Sequence, residues 1–429
     1  MSIDGIRAAA VAFMASCVFS VVPKAPAREA GEVRIPQSGH FRPEDAGVRA
    51  RTHHRMYEIA GGQARFNARI AAAARSAGLP PVADTGFQTP ASIACIYRVT
   101  RKTGTCNPNA ITAVPSGGGG AIAIVVAFDY PFAQADLDQF SAQFSLPPAD
   151  LTVVYANGTR PNASPNDWEI EAALDLQWAH AMAPDARLYL VEAAGSSIGN
   201  LMVAVRRATA LVQAAGGGQV SMSWGSGEFA GQAAFEPDFN QANVVFIASS
   251  GDSAGASWPC VSPNVICVGG TTLRASAGGD FIQEVAWADG GGGLSTLFPA
   301  PAYQFDASGA SLTGSTQRGV PDVALAADPT TPGWVYYTPS NTGAGGWYAA
   351  GGTSWSAPTF AGMENLAATA AGGGFAPSSV AELQRIYARL GTTSFKDIRV
   401  GWCGTHYGQK ARKAWDQCTG VGSKRGGSR

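Results

Sequence analysis

A serine that follows a pair of glycines is the strongest candidate nucleophile in this sequence. The chain reads AAGGTSWSAPTFAGM around Ser354, and Gly351 and Gly352 permit a sharp turn before an apolar helix that Ser354 opens. At a helix N-terminus, unpaired N–H groups and the helix dipole favour developing negative charge. Pro358 is expected in the first turn, where its missing N–H costs little. A plain N-cap role for Thr353 or Ser354 explains the same residues, so this stretch alone leaves both interpretations open.

Two carboxylates on one predicted helix are the candidates for the base that a nucleophilic serine needs. Glu171 and Asp175 lie at i and i+4 in a helix predicted over residues 167–182, which places them about 40° apart on one face. Carboxylates this close raise the pKa of one of them, which suits a general base that works in acid. A pair of solvated surface carboxylates is the alternative, but the rest of the helix is mostly apolar and is expected to be buried.

Histidine, the commonest general base, is scarce in this part of the chain. His40, His53 and His54 lie in the N-terminal leader, which leaves His180 and His406 in the body. His180 falls about 180° away from Glu171 on the same helix, so Ser-His-Asp catalysis with it is not expected.

Asp252 is the candidate for stabilising an oxyanion. It follows a strand predicted over residues 244–248, after the short stretch Ser249-Ser250-Gly251. An ionised aspartate would repel an oxyanion, whereas a protonated aspartate donates an O–H to it. A loop aspartate that caps its own turn is the alternative interpretation.

The elements that must position these residues predict an α/β fold, built as one large domain. Continuous apolar runs indicate strands buried on both faces, and helical stretches separate them, which predicts a mostly parallel central sheet with helices on both faces. In such sheets, functional residues collect at the carboxyl ends of the strands. The predicted strands are 121–127, 151–155, 187–191, 220–224 and 244–248, and the predicted helices are 61–78, 136–144, 167–182 and 201–215.

The N-terminus predicts export from the cell. Arg7 precedes an apolar run over residues 8–22, and residues 25–27 offer the small side chains of a cleavage site, so residues 1–27 are expected to be a signal peptide. That run is short for a membrane span and no later apolar stretch is long enough, so no membrane association is expected after the signal is removed. We expect a secreted or periplasmic protein.

Composition and charge indicate a large globular protein and argue against a coiled coil, a fibre or a nucleic-acid binder. Only 14% of the 429 residues are charged, and the formal net charge is −1, whereas an ordinary domain has about 25% charged residues. Residues 28–75 differ from the rest, because they carry nine arginines and five acidic residues. Residues 28–60 show little periodicity and are expected to be weakly structured. This charge difference favours two interpretations: chance variation in surface charge, or a small basic pro-segment that packs on an acidic body.

Six cysteines remain outside the signal, an even number that suggests disulfides in an exported protein. Six cysteines allow fifteen connectivities, and three local pairs that each close a short loop are favoured. They are Cys95–Cys106, Cys260–Cys267 and Cys403–Cys418. Neither CxxC nor HExxH occurs, so a zinc site is not expected.

The order of these motifs resembles that of the sedolisin family of serine-carboxyl peptidases. Glu171 and Asp175 come first, Asp252 follows, and the Gly-Thr-Ser of Ser354 comes last. The resemblance covers roughly residues 90–423 and implies a subtilisin-like fold in which glutamate takes the place of histidine as the base. Other matching pieces are Ser223-Trp224-Gly225, Val268-Gly269-Gly270-Thr271, Trp287 ahead of Gly290–Ser295, and Arg318-Gly319-Val320-Pro321-Asp322.

The resemblance also implies a role for each site residue. Ser354 is the implied nucleophile, and Glu171 is its general base and acid, oriented by a hydrogen bond from Asp175. Protonated Asp252 completes the oxyanion hole with the Ser354 backbone N–H. The implied reaction is endopeptidase hydrolysis of a protein or peptide substrate through an acyl-enzyme, fastest at acidic pH. The implied residues of the substrate cleft are Trp224 and Gly225.

A calcium ion is implied near the C-terminus, held by two aspartates and by backbone carbonyls. The matching residues are Asp397, Ile398, Arg412, Ala414 and Asp416, with Ile398, Arg412 and Ala414 contributing carbonyl oxygens, which suit a hard cation. The approach to the second aspartate is shorter than in the family and is positively charged, which opposes a cation.

The expected organisation is a signal peptide over residues 1–27, a short leader over 28–85, a peptidase domain over 86–423 and a disordered tail over 424–429. Members of the family usually carry a much longer folded pro-domain, and inhibition by this short leader is a hypothesis. We expect a monomer with a protein or peptide substrate and no nucleic-acid partner.

Two other functions are compatible with parts of the sequence. Gly251–Gly255 matches GxSxG after a strand, which would make Ser253 the nucleophile of an α/β-hydrolase-type esterase. Such an elbow should open a helix, and no histidine in the chain is followed by glycine for an HGGG-type oxyanion loop. A catalytically dead peptide-binding relative is the other alternative, but all four proposed catalytic residues are present.

Overall fold

A computed structural model describes residues 31–59, 62–72, 78–82, 85–164, 167–370, 374–404 and 408–426. The predicted signal peptide, residues 1–27, lies outside the described residues. The helices are α1 (Gln63–Ala72), α2 (Pro90–Ile96), α3 (Ala133–Phe144), α4 (Trp168–Met182), α5 (Ile198–Ala214), α6 (Glu236–Phe239), α7 (Thr353–Thr369) and α8 (Ser379–Ala388). The strands are β1 (Gly31–Arg34), β2 (Arg51–Thr52), β3 (Arg55–Ile59), β4 (Ala121–Ala127), β5 (Leu151–Tyr155), β6 (Arg187–Ala193), β7 (Gly218–Met222), β8 (Trp224–Gly225), β9 (Val244–Ser249), β10 (Ile266–Ala275), β11 (Phe281–Ala286), β12 (Gly293–Pro299), β13 (Gln317–Val320), β14 (Val323–Ala326), β15 (Gly333–Tyr337), β16 (Gly346–Gly351), β17 (Phe395–Lys396), β18 (Trp402–Cys403), β19 (Gln409–Lys410) and β20 (Ser423–Lys424).

An eight-stranded central sheet carries the candidate site. Its strands run in the order β11-β10-β9-β7-β4-β6-β5, and β14 also pairs with β10. All of these pairs are parallel except β10 with β11. Strand β4 has the predicted bounds and is buried along its whole length, as a central strand covered on both faces must be. The predicted α/β fold with a mostly parallel sheet is confirmed.

Two buried helices, α4 and α7, pack against each other and carry the candidate base and nucleophile. Every residue of α4 is buried, as is all of α7 except its last residue. Gly362 of α7 has no room for a side chain, because a Cβ there would lie 2.6 Å from the carbonyl oxygen of Ala179 and 2.6 Å from the Cβ of Met182. This close approach packs the C-terminal end of α4 against the middle of α7.

Helix α7 begins at Thr353, so Pro358 lies in its second turn and the expectation of a first-turn proline is wrong. A proline there leaves the Ser354 carbonyl without its intrahelical donor. The hydroxyl oxygen of Ser223 lies 3.3 Å from that carbonyl.

The leader is folded onto the body, which corrects the expectation that residues 28–60 are weakly structured. Strand β3 pairs with β1 and with β16, and β2 pairs with β8, so the leader adds strands to the edges of body strands. Main-chain pairing of this kind needs no apolar alternation, and the sequence pattern therefore did not reveal it. The helix predicted over residues 61–78 is present as α1, Gln63–Ala72, and residues 73–77 lie outside the described chain.

The C-terminal residues are partly ordered, so the predicted disordered tail is wrong at its first residues. Lys424 lies in β20, which pairs with β17, and its ammonium group contacts the carboxylate of Glu364. The N–H of Gly426 donates to the carbonyl of Tyr97 at 2.8 Å. Residues 427–429 lie outside the part of the chain that the structure describes.

All three favoured disulfides are present: Cys95–Cys106, Cys260–Cys267 and Cys403–Cys418. Each closes a short loop, with separations of 11, 7 and 15 residues. Among the described residues, no helix has both the length and the apolar character that a membrane crossing requires.

Candidate active site

Ser354 is a buried residue in the first turn of α7, two positions after the N-cap Gly352. Gly352 has φ +93°, and a Cβ there would lie 2.1 Å from the His53 carbonyl oxygen and 2.5 Å from Asp252 Oδ2. A side chain at residue 352 is therefore excluded both by backbone conformation and by space. The predicted turn ahead of the serine is present for that reason.

The carboxyl of Asp252 faces the same position. Its Oδ1 accepts from the Thr353 N–H at 2.7 Å and from the Thr353 hydroxyl at 2.8 Å, whereas Oδ2 has no hydrogen-bond partner among the described residues. Burial raises the pKa of Asp252 above its usual value, although the nearby Arg55 guanidinium opposes this. A raised pKa favours an O–H on the free oxygen, which is the state that can donate to an oxyanion.

Glu171 and Asp175 lie on α4 and are both fully buried. Burial raises the pKa of each carboxyl well above its usual value, and the charge of Glu171 raises the pKa of Asp175 further. Both therefore stay protonated to a higher pH than a free carboxyl, and an added charge or hydrogen bond that favours ionisation makes them better able to act as bases.

The expected hydrogen bond between Asp175 and Glu171 is not formed among the described atoms. Asp175 Oδ1 instead accepts from the Ser223 hydroxyl at 2.7 Å, and both Asp175 Oδ2 and Glu171 Oε1 lack a partner there. The two carboxyls are thus coupled through charge. Ser223 also accepts a hydrogen bond at its carbonyl from the Ser354 hydroxyl, at 3.2 Å.

Two leader histidines lie in the site, and sequence reasoning missed them because it placed every leader histidine away from the body. His54 Nδ1 lies 2.5 Å from Glu171 Oε2, and His53 Nδ1 lies 2.7 Å from the Ser249 hydroxyl. Burial lowers the pKa of His54 to about 4 and that of His53 well below its usual value. No residue pattern marks these histidines, since their partners lie 117 and 196 positions away along the chain. His180, by contrast, faces away and contacts the Pro147 carbonyl at 2.9 Å, as the helix geometry predicted.

The backbone around His53 is bonded to the candidate nucleophile. The Ser354 N–H donates to the His53 carbonyl at 3.0 Å, and the His53 N–H lies 3.1 Å from the Ser354 hydroxyl oxygen and 3.3 Å from the Ser223 carbonyl. The flanking leader strands run along body strands on both sides, with Arg51 opposite Gly225 and Arg55 opposite Gly351.

Trp224 and Gly225 border this segment in different ways. The Trp224 side chain is fully buried, and its indole N–H donates to the Val125 carbonyl at 2.9 Å, so it lines the cleft through its main chain only. Gly225 lies against the leader directly, because a Cβ there would be 2.7 Å from the His53 ring.

The rival nucleophile Ser253 lacks the surroundings of a nucleophile elbow. Strand β9 ends at Ser249 and the described residues 250–265 form no helix. The Ser253 hydroxyl accepts from the Arg51 guanidinium at 3.3 Å.

The carboxylates implied for calcium already accept hydrogen bonds from protein donors. Both Asp416 oxygens accept hydrogen bonds from protein donors, among them the Arg412 N–H at 3.1 Å and the Thr419 N–H at 2.9 Å. Asp397 Oδ2 accepts from the Arg399 guanidinium at 2.7 Å and from the Ala414 N–H at 3.2 Å. Donors thus occupy both Asp416 oxygens and Asp397 Oδ2, and a calcium ion could bind these atoms only by displacing those donors. The expectation that the Ile398 carbonyl binds calcium is supported only by the sequence resemblance.

The fold and the site together define the class of protein. The subtilase family matches residues 156–409, and sphericase, a solved structure, shares the fold with a TM-score of 0.50 and 18% identity over 78% of this chain and 97% of that chain. The subtilisin-like fold is therefore confirmed.

The particular family follows from closer relatives. Kumamolisin of Bacillus sp. (strain MN-32) is 30% identical over 434 residues, covering 92% of this chain and 71% of that protein. The structure of Pseudomonas sedolisin, a serine-carboxyl proteinase complexed with two molecules of pseudo-iodotyrostatin, matches with a TM-score of 0.62 and 24% identity, over 79% of this chain and 95% of that chain. This chain belongs to the sedolisin family.

Proposed function

We propose that this protein is a serine endopeptidase that hydrolyses peptide bonds in acid, with Ser354 as nucleophile and Glu171 as general base. One observation carries the proposal: the Ser354 N–H donates to the carbonyl of an extended peptide, at 3.0 Å, while the Ser354 hydroxyl oxygen lies beside the same residue. This is the arrangement that attack on a peptide carbonyl requires.

The reaction begins when ionised Glu171 takes the proton of the Ser354 hydroxyl and the oxygen attacks the carbonyl carbon. The Ser354 N–H and the O–H of protonated Asp252 stabilise the oxyanion that forms. Glu171 then returns its proton to the leaving amine, and water hydrolyses the acyl-enzyme by the same steps. Asp175, coupled to Glu171 by charge, keeps the two carboxyls from ionising together.

The same carboxyls account for the expected activity in acid. Asp252 donates only while it is protonated, so the oxyanion hole is lost as the pH rises through its raised pKa. Activity is therefore expected to fall toward alkaline pH, unlike that of an esterase with a histidine base.

We further propose an exported monomer acting on proteins or peptides, with residues 1–27 as signal peptide and a leader that ends before the peptidase domain at about residue 86. The three disulfides support an oxidising compartment, which for this protein means secretion or the periplasm. Calcium binding stays a prediction of the sequence and takes no part in the steps above.

Digestion of a denatured protein between pH 3 and 8 tests the proposal. Acid-peaked cleavage should fall at least about 1,000-fold in Ser354→Ala and in Glu171→Gln. Ser253→Ala is the matched control and should cleave like the parent. Ester hydrolysis near pH 8 that depends on Ser253 would instead favour the esterase, and peptide binding without turnover in any form would favour the dead relative.

A further inference from the structure

We propose that Thr353 is a positioning residue for the proposed reaction: it directs the proton of Asp252 to Oδ2, the carboxyl oxygen that faces the nucleophile. The inference rests on the proposed function and gives the residue before Ser354 a role in it. The Thr353 N–H donates to Asp252 Oδ1 at 2.7 Å, and the Thr353 hydroxyl donates to the same oxygen at 2.8 Å. In a carboxylic acid the carbonyl oxygen is the better acceptor, so an oxygen that accepts two hydrogen bonds is the one without the proton.

The second oxygen of Asp252 faces the place where the reacting carbonyl must lie. A Cβ on Gly352 would be 2.5 Å from Asp252 Oδ2 and 2.1 Å from the carbonyl oxygen of His53, so the carboxyl and a peptide carbonyl approach the same position. Oδ2 is buried and has no hydrogen-bond partner among the described residues. A proton on Oδ2 can therefore be donated to an oxyanion, whereas a proton on Oδ1 would point toward Thr353.

The Thr353 hydroxyl is itself held in one orientation. The Gly251 N–H donates to Thr353 Oγ1 at 3.0 Å, which leaves the single hydrogen of the hydroxyl for Asp252. The methyl carbon Cγ2 lies on the side of Gly270, 3.4 Å from where a Cβ of that glycine would be, and Thr353 is fully buried. Because threonine is branched at Cβ, packing of the methyl group also fixes the direction of the hydroxyl.

This arrangement ties the two donors of the oxyanion hole to one turn of the chain. Thr353 is the first residue of α7 and is followed directly by Ser354, whose N–H is the other donor. Asp252 comes from the segment after β9, 101 positions earlier in the sequence. Without the contact to Thr353, the direction of its carboxyl would depend on that segment alone. The contact therefore fixes the Asp252 donor relative to the nucleophile.

The same hydrogen bonds influence the acidity of Asp252. Burial raises the pKa of Asp252, and the hydrogen bonds from Thr353 oppose this because they favour the ionised carboxylate. Removing the Thr353 hydroxyl should therefore raise the pKa of Asp252 further, so that the carboxyl stays protonated to a higher pH. The other charged or titratable groups that act on Asp252 are Arg55, His54 and Arg51 of the leader and Glu171 of α4.

Thr353→Val tests the role, because valine keeps the branched shape and the main-chain N–H and removes only the hydroxyl. The substrate is a peptide chosen from the cuts made in denatured protein, assayed from pH 3 to 8. We expect kcat to fall at least about 10-fold, because a fraction of the Asp252 protons then lies on Oδ1. The alkaline limb of the kcat profile should move to higher pH, which a purely structural residue would not cause. Thr353→Ser keeps the hydroxyl and should recover most of kcat and the alkaline limb of the parent.

A double-mutant cycle shows whether Thr353 acts through Asp252. In an Asp252→Ala background, Thr353→Val should change kcat less than about twofold, because the group that it positions is absent. Thr353→Ala removes the same hydroxyl and replaces Thr353→Val, with the same expectations, if circular dichroism shows that the valine variant is unfolded. Equal losses in both backgrounds, or a loss with an unmoved alkaline limb, would overturn the inference and leave the proposed function standing. No cleavage by any form, the parent included, would overturn both.

Discussion

The imidazole of His54 and the carboxyl of Glu171 lie 2.5 Å apart in a fully buried contact between the leader and helix α4. The contact joins His54 of the leader with Glu171, the candidate base of the body. Protonation or ionisation of one side chain shifts the pKa of the other, so the charge of the site depends on pH.

Removing that imidazole should extend the ionised form of Glu171 to lower pH. In His54→Ala, protonated Glu171 loses the acceptor that stabilises its O–H, so its pKa falls and the carboxylate is present at a lower pH than in the parent. The rate at which the chain digests a denatured protein should then rise at least 10-fold near pH 6, measured across pH 3–7. His40→Ala serves as the control, and an unchanged pH profile in His54→Ala would contradict this role. Other charged groups acting on His54 are Asp167, Asp252, Arg55 and Arg34.

Docking of the leader should weaken as the pH falls. The pKa of His54 is about 4 when docked, against about 6.5 in a free chain, and burial also lowers the pKa of His53. The undocked leader therefore binds more protons between these values, so docking is at full strength above pH 6.5 and is lost progressively down to about pH 4. Within this range, each pH unit of acidification should lower the docking equilibrium constant about tenfold through His54 alone.

Hydrogen exchange of residues 51–56 in Ser354→Ala, corrected for the intrinsic rate at each pH, measures this docking. Glu171 contributes in the opposite sense wherever its pKa differs between the docked and the undocked state. Replacing both His53 and His54 with glutamine should remove the histidine part of the pH dependence. Protection that increases on acidification would contradict the assignment.

The oxyanion role of Asp252 predicts different outcomes for two substitutions. Asp252→Ala removes the donor and should lower kcat about 100- to 1,000-fold. Asp252→Asn keeps an acceptor for Thr353 and a donor that does not ionise, so it should lose less activity and keep it to a higher pH than the parent. Steady-state cleavage of a peptide over pH 3–8 makes the comparison. Equal losses in both variants would point to a purely structural aspartate.

The hydrogen bonds of Asp397 and Asp416 predict that chelating calcium has little effect on thermal stability. Because Asp416 and Asp397 already accept hydrogen bonds from N–H and O–H donors, EDTA should leave the thermal midpoint within about 2 °C of its value in calcium. Differential scanning calorimetry with and without calcium measures this. A loss of many degrees on chelation would mean that the ion reorganises these side chains, and would restore the family's calcium site.

The parts of the site that follow a regular period could be predicted from the sequence. Glu171 and Asp175 share a face because α-helix geometry places i and i+4 together, and β4 has the expected bounds because a doubly buried strand reads as one apolar run. The three disulfides followed from short separations in the chain.

The leader could not be predicted in this way. The leader pairs with β8 and β16 through main-chain groups. Almost any residue type supplies these groups, so the sequence does not mark the contacts. His53 and Ser354 are 301 positions apart, and no local pattern joins them. The expected Asp175–Glu171 hydrogen bond is absent for a related reason. Its competing donor is Ser223, which lies between β7 and β8, far from α4 in the sequence.

The pairing of β3 has a consequence for access to the cleft. Residues 55–59 are held between β1 and β16, so a substrate chain can take the place of the leader beside Gly351 only after this strand has separated from β16. A lag before steady-state proteolysis would report that separation.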